Sequence, residues 1–182
     1  MKKIILASKS PRRKELLKQI VDEFEIDVAV KPERKPFWVK KEKVAEHLAK
    51  QKAKEVFKKH KDAIVIGADT IVLAKNQILG KPKDKEDVKR MINLLSGCTH
   101  QVITGVCIIS SEKTISFSSI TDVTFIKMSE EEIAEYCNLT TIYDKAGAYA
   151  IQAEAGKYIS EIKGDYNNVV GLPIDELKKH LF

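Results

Sequence analysis

Ile4-Ile5-Leu6-Ala7-Ser8-Lys9-Ser10-Pro11-Arg12-Arg13 decides the fold class. Ile4 to Ala7 is a short, wholly apolar run of the kind a buried strand shows. Ser10 followed by Pro11 is an N-cap with proline at the first helical position, and it predicts a helix to about Ile20. A strand that feeds a helix through a three-residue loop is the opening unit of an α/β protein. The same alternation continues along the chain. A second strand is expected over Phe24 to Val30, a loop over Lys31 to Pro36, and a long helix from about Lys40 to His60. Next come a strand over Ala63 to Leu73, a short return at Gln77 to Leu79, and a helix over Lys85 to Leu95 capped by Asp84 and ending near Gly97. Val102–Ile109 and Thr114–Ile126 are rich in β-branched residues and read as two long strands of a hairpin. Ser129 and Glu132 form a capping box for a short helix to about Cys137. Tyr143 to Gly171 is glycine-punctuated and irregular, and Pro173 opens a terminal helix.

The chain has 182 residues, 43% of them hydrophobic, with 8 Gly and 5 Pro. That is enough for the core of one domain, with room for two lobes, and excludes disordered, collagen-like and multidomain classes. The N-terminal apolar run stops at Ser8, and no run approaches the ~18 residues of a membrane span. A soluble, cytoplasmic protein without a membrane partner is expected. Cys98, Cys107 and Cys137 are odd in number and lack a C-x-x-C pair, and the four histidines are scattered. This argues against a disulfide framework or a zinc site, so a metal would need carboxylate ligands.

The net charge of +6 is uneven. Residues 1–61 hold 19 Lys and Arg against 9 Asp and Glu, whereas residues 62–182 hold 13 against 17. The basic third attracts anions: nucleic acid, a membrane surface or a small phosphorylated ligand. With only 7% aromatic residues, a base-stacking nucleic-acid surface is the weakest of these, and no stable nucleic-acid partner is expected.

Three clusters could carry chemistry. The Ser8–Arg13 loop offers hydroxyls, arginines and a helix N-terminus to an anion; an ordinary capped helix with a solvated basic turn is the other reading. Lys52 falls near the middle of the apolar stripe formed by Val44, Leu48, Ala49, Ala53 and Val56. It either meets an anion or snorkels to water. Asp69 and Thr70 interrupt an apolar strand, so the carboxylate should meet a cation, a metal or hydrogen-bond donors. Gly80-Lys81-Pro82 could return a second lysine toward Asp69. Together these outline a polyphosphate site with a carboxylate-bound Mg²⁺.

The same residues resemble a known family. Ile4 to Leu17, Leu48 to Ala53, Gly67-Ala68-Asp69-Thr70, Gly80-Lys81-Pro82, Asp144-Lys145-Ala146-Gly147-Ala148-Tyr149 and Gly164 to Pro173 are similar, in order and over nearly the whole chain, to the signatures of the Maf family of nucleotide pyrophosphatases. The resemblance implies a single domain over residues 1–182: a long, bent mixed sheet flanked by helices, with two lobes around a central cleft, similar to inosine triphosphate pyrophosphatases. It implies cleavage of a nucleoside triphosphate between the α and β phosphates with a divalent cation, Mg²⁺ or Mn²⁺, and it is compatible with a homodimer. Position by position, it implies Asp69 as proton acceptor and metal ligand, Ser8, Arg13, Lys52 and Lys81 on the phosphates, and Glu33 on the metal. The setting of Glu33, Pro32-Glu33-Arg34-Lys35, departs from the paired acids expected there.

Arg12, Thr70 and Gln152 are the positions that the resemblance marks for base preference, in the combination similar to the branch hydrolysing dTTP and UTP. Thymine and uracil offer two carbonyl acceptors and one N–H donor, which such side chains can match. A different class stays open on the residues alone: a non-catalytic regulator of septum formation, or a nucleic-acid-binding protein, acting through the basic N-terminal third.

Overall fold

In the computed structural model, which describes residues 2–34 and 37–181, β1 (Ile4–Leu6) runs beside the long strand β3 (Ile64–Ala74) in a mixed seven-stranded sheet. The strand order is β2 (Glu25–Ile26), β1, β3, β5 (Thr99–Ile109), β6 (Thr114–Phe125), β7 (Ile159–Lys163), with β4 (Gln77–Leu79) also paired to β3. Parallel pairing is confined to β2–β1–β3, and the other pairs are antiparallel. Lys75 and Asn76, both at positive φ, close the two-residue turn between β3 and β4. The α/β class and the long β5–β6 hairpin match the sequence expectation.

Helices cover both faces. Side chains alternate along β3, so Val65, Gly67, Asp69 and Ile71 face α2 (Val44–Phe57), which buries Val44, Ala45, Leu48, Ala49, Ala53 and Val56. On the opposite face, Ile66 and Ala68 join a core with α1 (Pro11–Leu17) and α6 (Ile174–Leu181). Val72 and Ala74 join a second core with α3 (Lys85–Leu95) and α4 (Glu130–Tyr136). Ser129 and Glu132 do form a capping box for α4, and Asp84 caps α3.

Two elements were invisible in the segment expected to be irregular. β7 keeps only Ile159 and Ile162 half-buried among exposed residues, too weak a pattern to read. α5 (Tyr166–Val170) combines poor helix formers, Asn and Val, in a single short turn. At its ends Asp165 accepts the Asn167 N–H at 2.7 Å and Gly171, at φ 130°, terminates it. The second strand is shorter than expected. After Ile26 the chain leaves the sheet because Asp27 pairs with His60, and the Val30 and Lys31 N–H groups donate to Glu55 on α2. Of the loop expected over Lys31 to Pro36, Lys35 and Pro36 lie outside the described residues.

Helix α2 sits unusually close to the sheet. A Cβ on Gly105 would lie 2.1 Å from Glu46 N and 2.3 Å from Ala45 C, and one on Gly67 would lie 2.4 Å from Ala49 O. Backbone cannot yield as a flexible side chain does, so Gly105→Ala must push α2 off the sheet. We expect it to lose at least ~3 kcal/mol in urea denaturation; a loss within ~0.5 kcal/mol, the ordinary surface range, would contradict the contact.

A second expectation concerns acid. His100 is buried beside Phe125, with Nε2 2.7 Å from Tyr149 Oη and Nδ1 unpartnered. Burial pushes its pKa down to about 4, opposed by the charge of Asp122. Between its unfolded value of about 6.5 and about 4, the unfolded chain binds a proton that the native chain refuses. This contribution is whole above pH 6.5 and falls as pH drops, by up to ~1.4 kcal/mol per pH unit. Denaturation from pH 7 to pH 4 should show a flatter stability profile for His100→Gln than for the parent.

Candidate active site

The cleft begins as a gap in the sheet. β5 pairs along one edge of β3 from Val65 to Leu73, while the other edge is shared by β1, opposite Ile64–Ile66, and β4, opposite Val72–Ala74. Residues 67–71 lie between them without a strand partner on that edge. A cleft of about 650 Å³ opens there, lined by the Ser8–Arg13 loop, Glu33, Lys52, Asp69, Thr70, Lys81, the Asp144–Lys145 segment, Tyr149 and Gln152. Every residue singled out for the site in the sequence therefore borders one cavity.

Asp69 reaches the cleft on the α2 side. Its cross-strand partner is Gly105, so α2 approaches closely and carries Lys52 onto the carboxylate. Lys52 Nζ bonds Asp69 Oδ1 and also donates to Glu33 Oε1 at 3.0 Å. The lysine points inward, with 16% of its side chain exposed, rather than snorkelling. Glu33 is more open, and its loop is strapped to the same helix: Gln51 Oε1 accepts from Arg34 N at 3.1 Å, and Gln51 Nε2 donates to Arg34 O at 2.6 Å. Together with the Glu55 contacts to Val30 and Lys31, this holds the Glu33 backbone against α2.

Arg13 occupies the wall next to Thr70. Nε donates to Gly171 O at 2.8 Å, Nη1 to Ser8 Oγ at 3.2 Å and Nη2 to Thr70 Oγ1 at 2.9 Å. A guanidinium has five N–H groups, so one on each terminal nitrogen is left without a protein partner among the described residues. Burial pushes the Arg13 pKa down from its ordinary value, opposed mainly by the Asp69 charge. The group remains a cation, because arginine does not deprotonate in proteins. A half-buried, pre-oriented guanidinium with two open donors is a receptor for anionic oxygens.

The rim carries the remaining candidates. Arg12 Nη1 lies 3.7 Å from Asp144 Oδ2, across the mouth from α1 to the Asp144–Lys145 segment. Lys145 turns back onto Asp144 at 2.6 Å. Lys81 and Gln152 are exposed on the cleft border. Thr70 Oγ1 lies 2.9 Å from Thr104 Oγ1.

Among the described residues no cluster of three or more His, Cys, Asp or Glu could hold a metal by itself. Asp69 and Glu33 nevertheless both bond one ammonium nitrogen, so their carboxylates converge on a space that a small cation can share. Two hard oxygen donors, completed by water and phosphate oxygens, suit Mg²⁺ or Mn²⁺ rather than zinc.

Several contributors had no sequence signal. The Arg34 backbone clamp by Gln51 looks, in sequence, like any polar helix position. The Gly171 carbonyl that holds Arg13 is a main-chain group. Thr104 lies in a strand where threonine is unremarkable, and nothing separates Asn168, which is fully buried, from its neighbour Asn167.

Comparison with known proteins identifies the family. The family model described as "Maf-like protein" matches residues 3–182. A Bacillus cereus protein named dTTP/UTP pyrophosphatase is 49% identical over 181 residues, covering 100% of this chain and 95% of its own length. A Bacillus cytotoxicus protein of the same name is 48% identical over the same span. Among solved structures, the Staphylococcus aureus Ham1 protein superposes with a TM-score of 0.59 at 14% identity, covering 99% of this chain and 98% of its own, so the two share a fold. With a family model spanning all but the first two residues and relatives near half identity along its whole length, the chain belongs to the Maf family.

Proposed function

We propose that this protein hydrolyses dTTP and UTP to the nucleoside monophosphate and pyrophosphate. The observation that carries the reading is the convergence of Asp69, Lys52 and Glu33 in the same cleft as the two open donors of Arg13. The Bacillus relatives named dTTP/UTP pyrophosphatase support the substrate class.

The chemistry follows from residue types. Asp69, fixed in the middle of β3, orients a water molecule and accepts its proton as the water attacks phosphorus. Phosphoryl transfer is chiefly positioning and electrostatics, so the cations matter most where charge spreads over the phosphate oxygens. Arg13 supplies two directed donors, Ser8 lies beside it, and Lys52 and Lys81 add positive charge from the other elements of the cleft. A divalent cation, Mg²⁺ or Mn²⁺, held by Asp69 and Glu33 would neutralise phosphate charge when bound. Gln152, exposed on the rim, and Arg12, beyond hydrogen-bond distance of Asp144, can hydrogen-bond the base, whereas Thr70 is already engaged by Arg13 and Thr104. A non-catalytic regulator working through the basic third is not favoured: Lys52 and Arg13, two of its cations, are committed inside the cleft.

Asp69→Asn should preserve the fold and lower kcat by at least ~100-fold, the range for losing a general base; near-normal turnover under saturating Mg²⁺ would refute its role. Lys52→Met should lower kcat/KM steeply, while Lys58→Met, at an exposed position of the turn that ends α2, should not. The function itself is tested by pyrophosphate release across a triphosphate panel. We expect the highest kcat/KM for dTTP and UTP, with CTP and purine triphosphates poorer because a site built on hydrogen bonds rejects bases that leave its polar groups unpaired. Preference for ATP or 7-methylguanosine triphosphate would overturn the base assignment, and no pyrophosphate from any nucleotide would overturn the enzyme.

A further inference from the structure

We propose that Thr104 and Asn168, buried away from the cleft, are positioning residues that orient Arg13 for the phosphates through a one-way chain of hydrogen bonds. Thr104 Oγ1 donates to the main-chain carbonyl of Asn168 at 2.8 Å, which can only accept. A threonine hydroxyl has one proton. With that proton spent on Asn168, Thr104 is the acceptor in its 2.9 Å contact with Thr70, and Thr70 is the donor. The Thr70 proton is then spent too, so Thr70 presents only lone pairs to Arg13 Nη2. Polarity runs from Arg13 to Thr70 to Thr104 to Asn168, and no proton in the chain is free to turn toward a phosphate or to repel the guanidinium.

Asn168 reaches Arg13 by a second route. Its side chain accepts from Thr104 N at 3.0 Å and donates to Val102 O at 3.0 Å and Thr121 Oγ1 at 2.8 Å, and Thr121 in turn donates to Asp165 O. These bonds pin the short helix α5 to β5 and β6. The carbonyl of Gly171, just past α5, accepts from Arg13 Nε. Both donors on the inner side of the guanidinium are thus set by one buried asparagine. A single helical turn of weak helix formers has little stability of its own, which is why the amide must hold it. Networks of this kind, with every polar group satisfied, fix one geometry.

This deepens the proposed function, and its test separates the two. Inorganic tripolyphosphate binding, by calorimetry, and dTTP turnover are measured for wild type, Thr104→Val, Arg13→Lys and the double variant, all at a temperature where each is folded. Thr104→Val should weaken tripolyphosphate binding and lower kcat/KM by about 10-fold each, the scale of a lost hydrogen bond in a buried site. In the Arg13→Lys background the same change should cost less than ~2-fold, because there is no longer a fork to orient. Thr104→Ser, which restores the hydroxyl, should return both values to within ~3-fold of wild type. If Thr104→Val does not fold, Thr70→Val breaks the neighbouring link and should show the same non-additivity with Arg13→Lys. Equal losses in both backgrounds, or no loss from Thr104→Val, overturns the proposal. A wild type that binds tripolyphosphate yet releases no pyrophosphate overturns the hydrolase reading while the binding cycle still decides the positioning.

Discussion

The contact on which the site depends is the close approach of helix α2 to β3 and β5, permitted by two missing side chains. Gly67 and Gly105 leave room for the backbone at Ala45, Glu46, Ala49 and Ala53. Only because the helix rides this low does Lys52 reach Asp69 instead of water. Without Lys52 the mostly buried Asp69 carboxylate would be left unpaired, at a cost of several kcal/mol. Here the same helix also straps the Glu33 loop through Gln51 and Glu55, so one packing surface delivers both carboxylates to one cation.

The middle of β3 is polar on both faces, and the neighbouring strand answers each residue differently. Asp69 is opposite Gly105, on the face that α2 covers; Thr70 is opposite Thr104, on the other. On that second face the Thr70–Thr104 pair lies between two apolar cores, one built on Ile66 and Ala68, the other on Val72 and Ala74. α5 fills this seam with Asn168, whose side-chain amide is fully paired to protein. The two apolar cores pack the helices onto this face of the sheet, and the polar seam between them lies behind the cleft and supports the residues that line it.

Charge in the N-terminal third serves two ends. Four cations among the described residues, Lys9, Arg12, Arg13 and Lys52, border the cleft, while many of the others lie on exposed surface. Those exposed lysines raise the local positive potential around an anion's path and contribute little to stability. The rim pair Arg12–Asp144, at 3.7 Å with Asp144 largely exposed, belongs to the same soft surface electrostatics.

Much of this was determined by the sequence alone. Periodicity and caps placed β1, α1, α2, β3, α3, the β5–β6 hairpin and α4 because each is a local decision of side-chain spacing and end chemistry. The polar interruption at Asp69-Thr70 and the lysine on the apolar stripe of α2 stood out because burying such groups is costly and therefore informative. The sheet order, and with it the gap between β1 and β4 that becomes the cleft, depends on pairing between distant segments and could not be read locally. The direction of the Thr70 proton was also undecided until Thr104 and Asn168 were brought beside it from positions 34 and 98 residues further along the chain. The helix at Tyr166–Val170 was illegible for the same reason: its residues disfavour a helix, and it exists because tertiary hydrogen bonds outweigh that preference. Local chemistry singled out the polar groups that border the cleft, and long-range packing decided how they face one another.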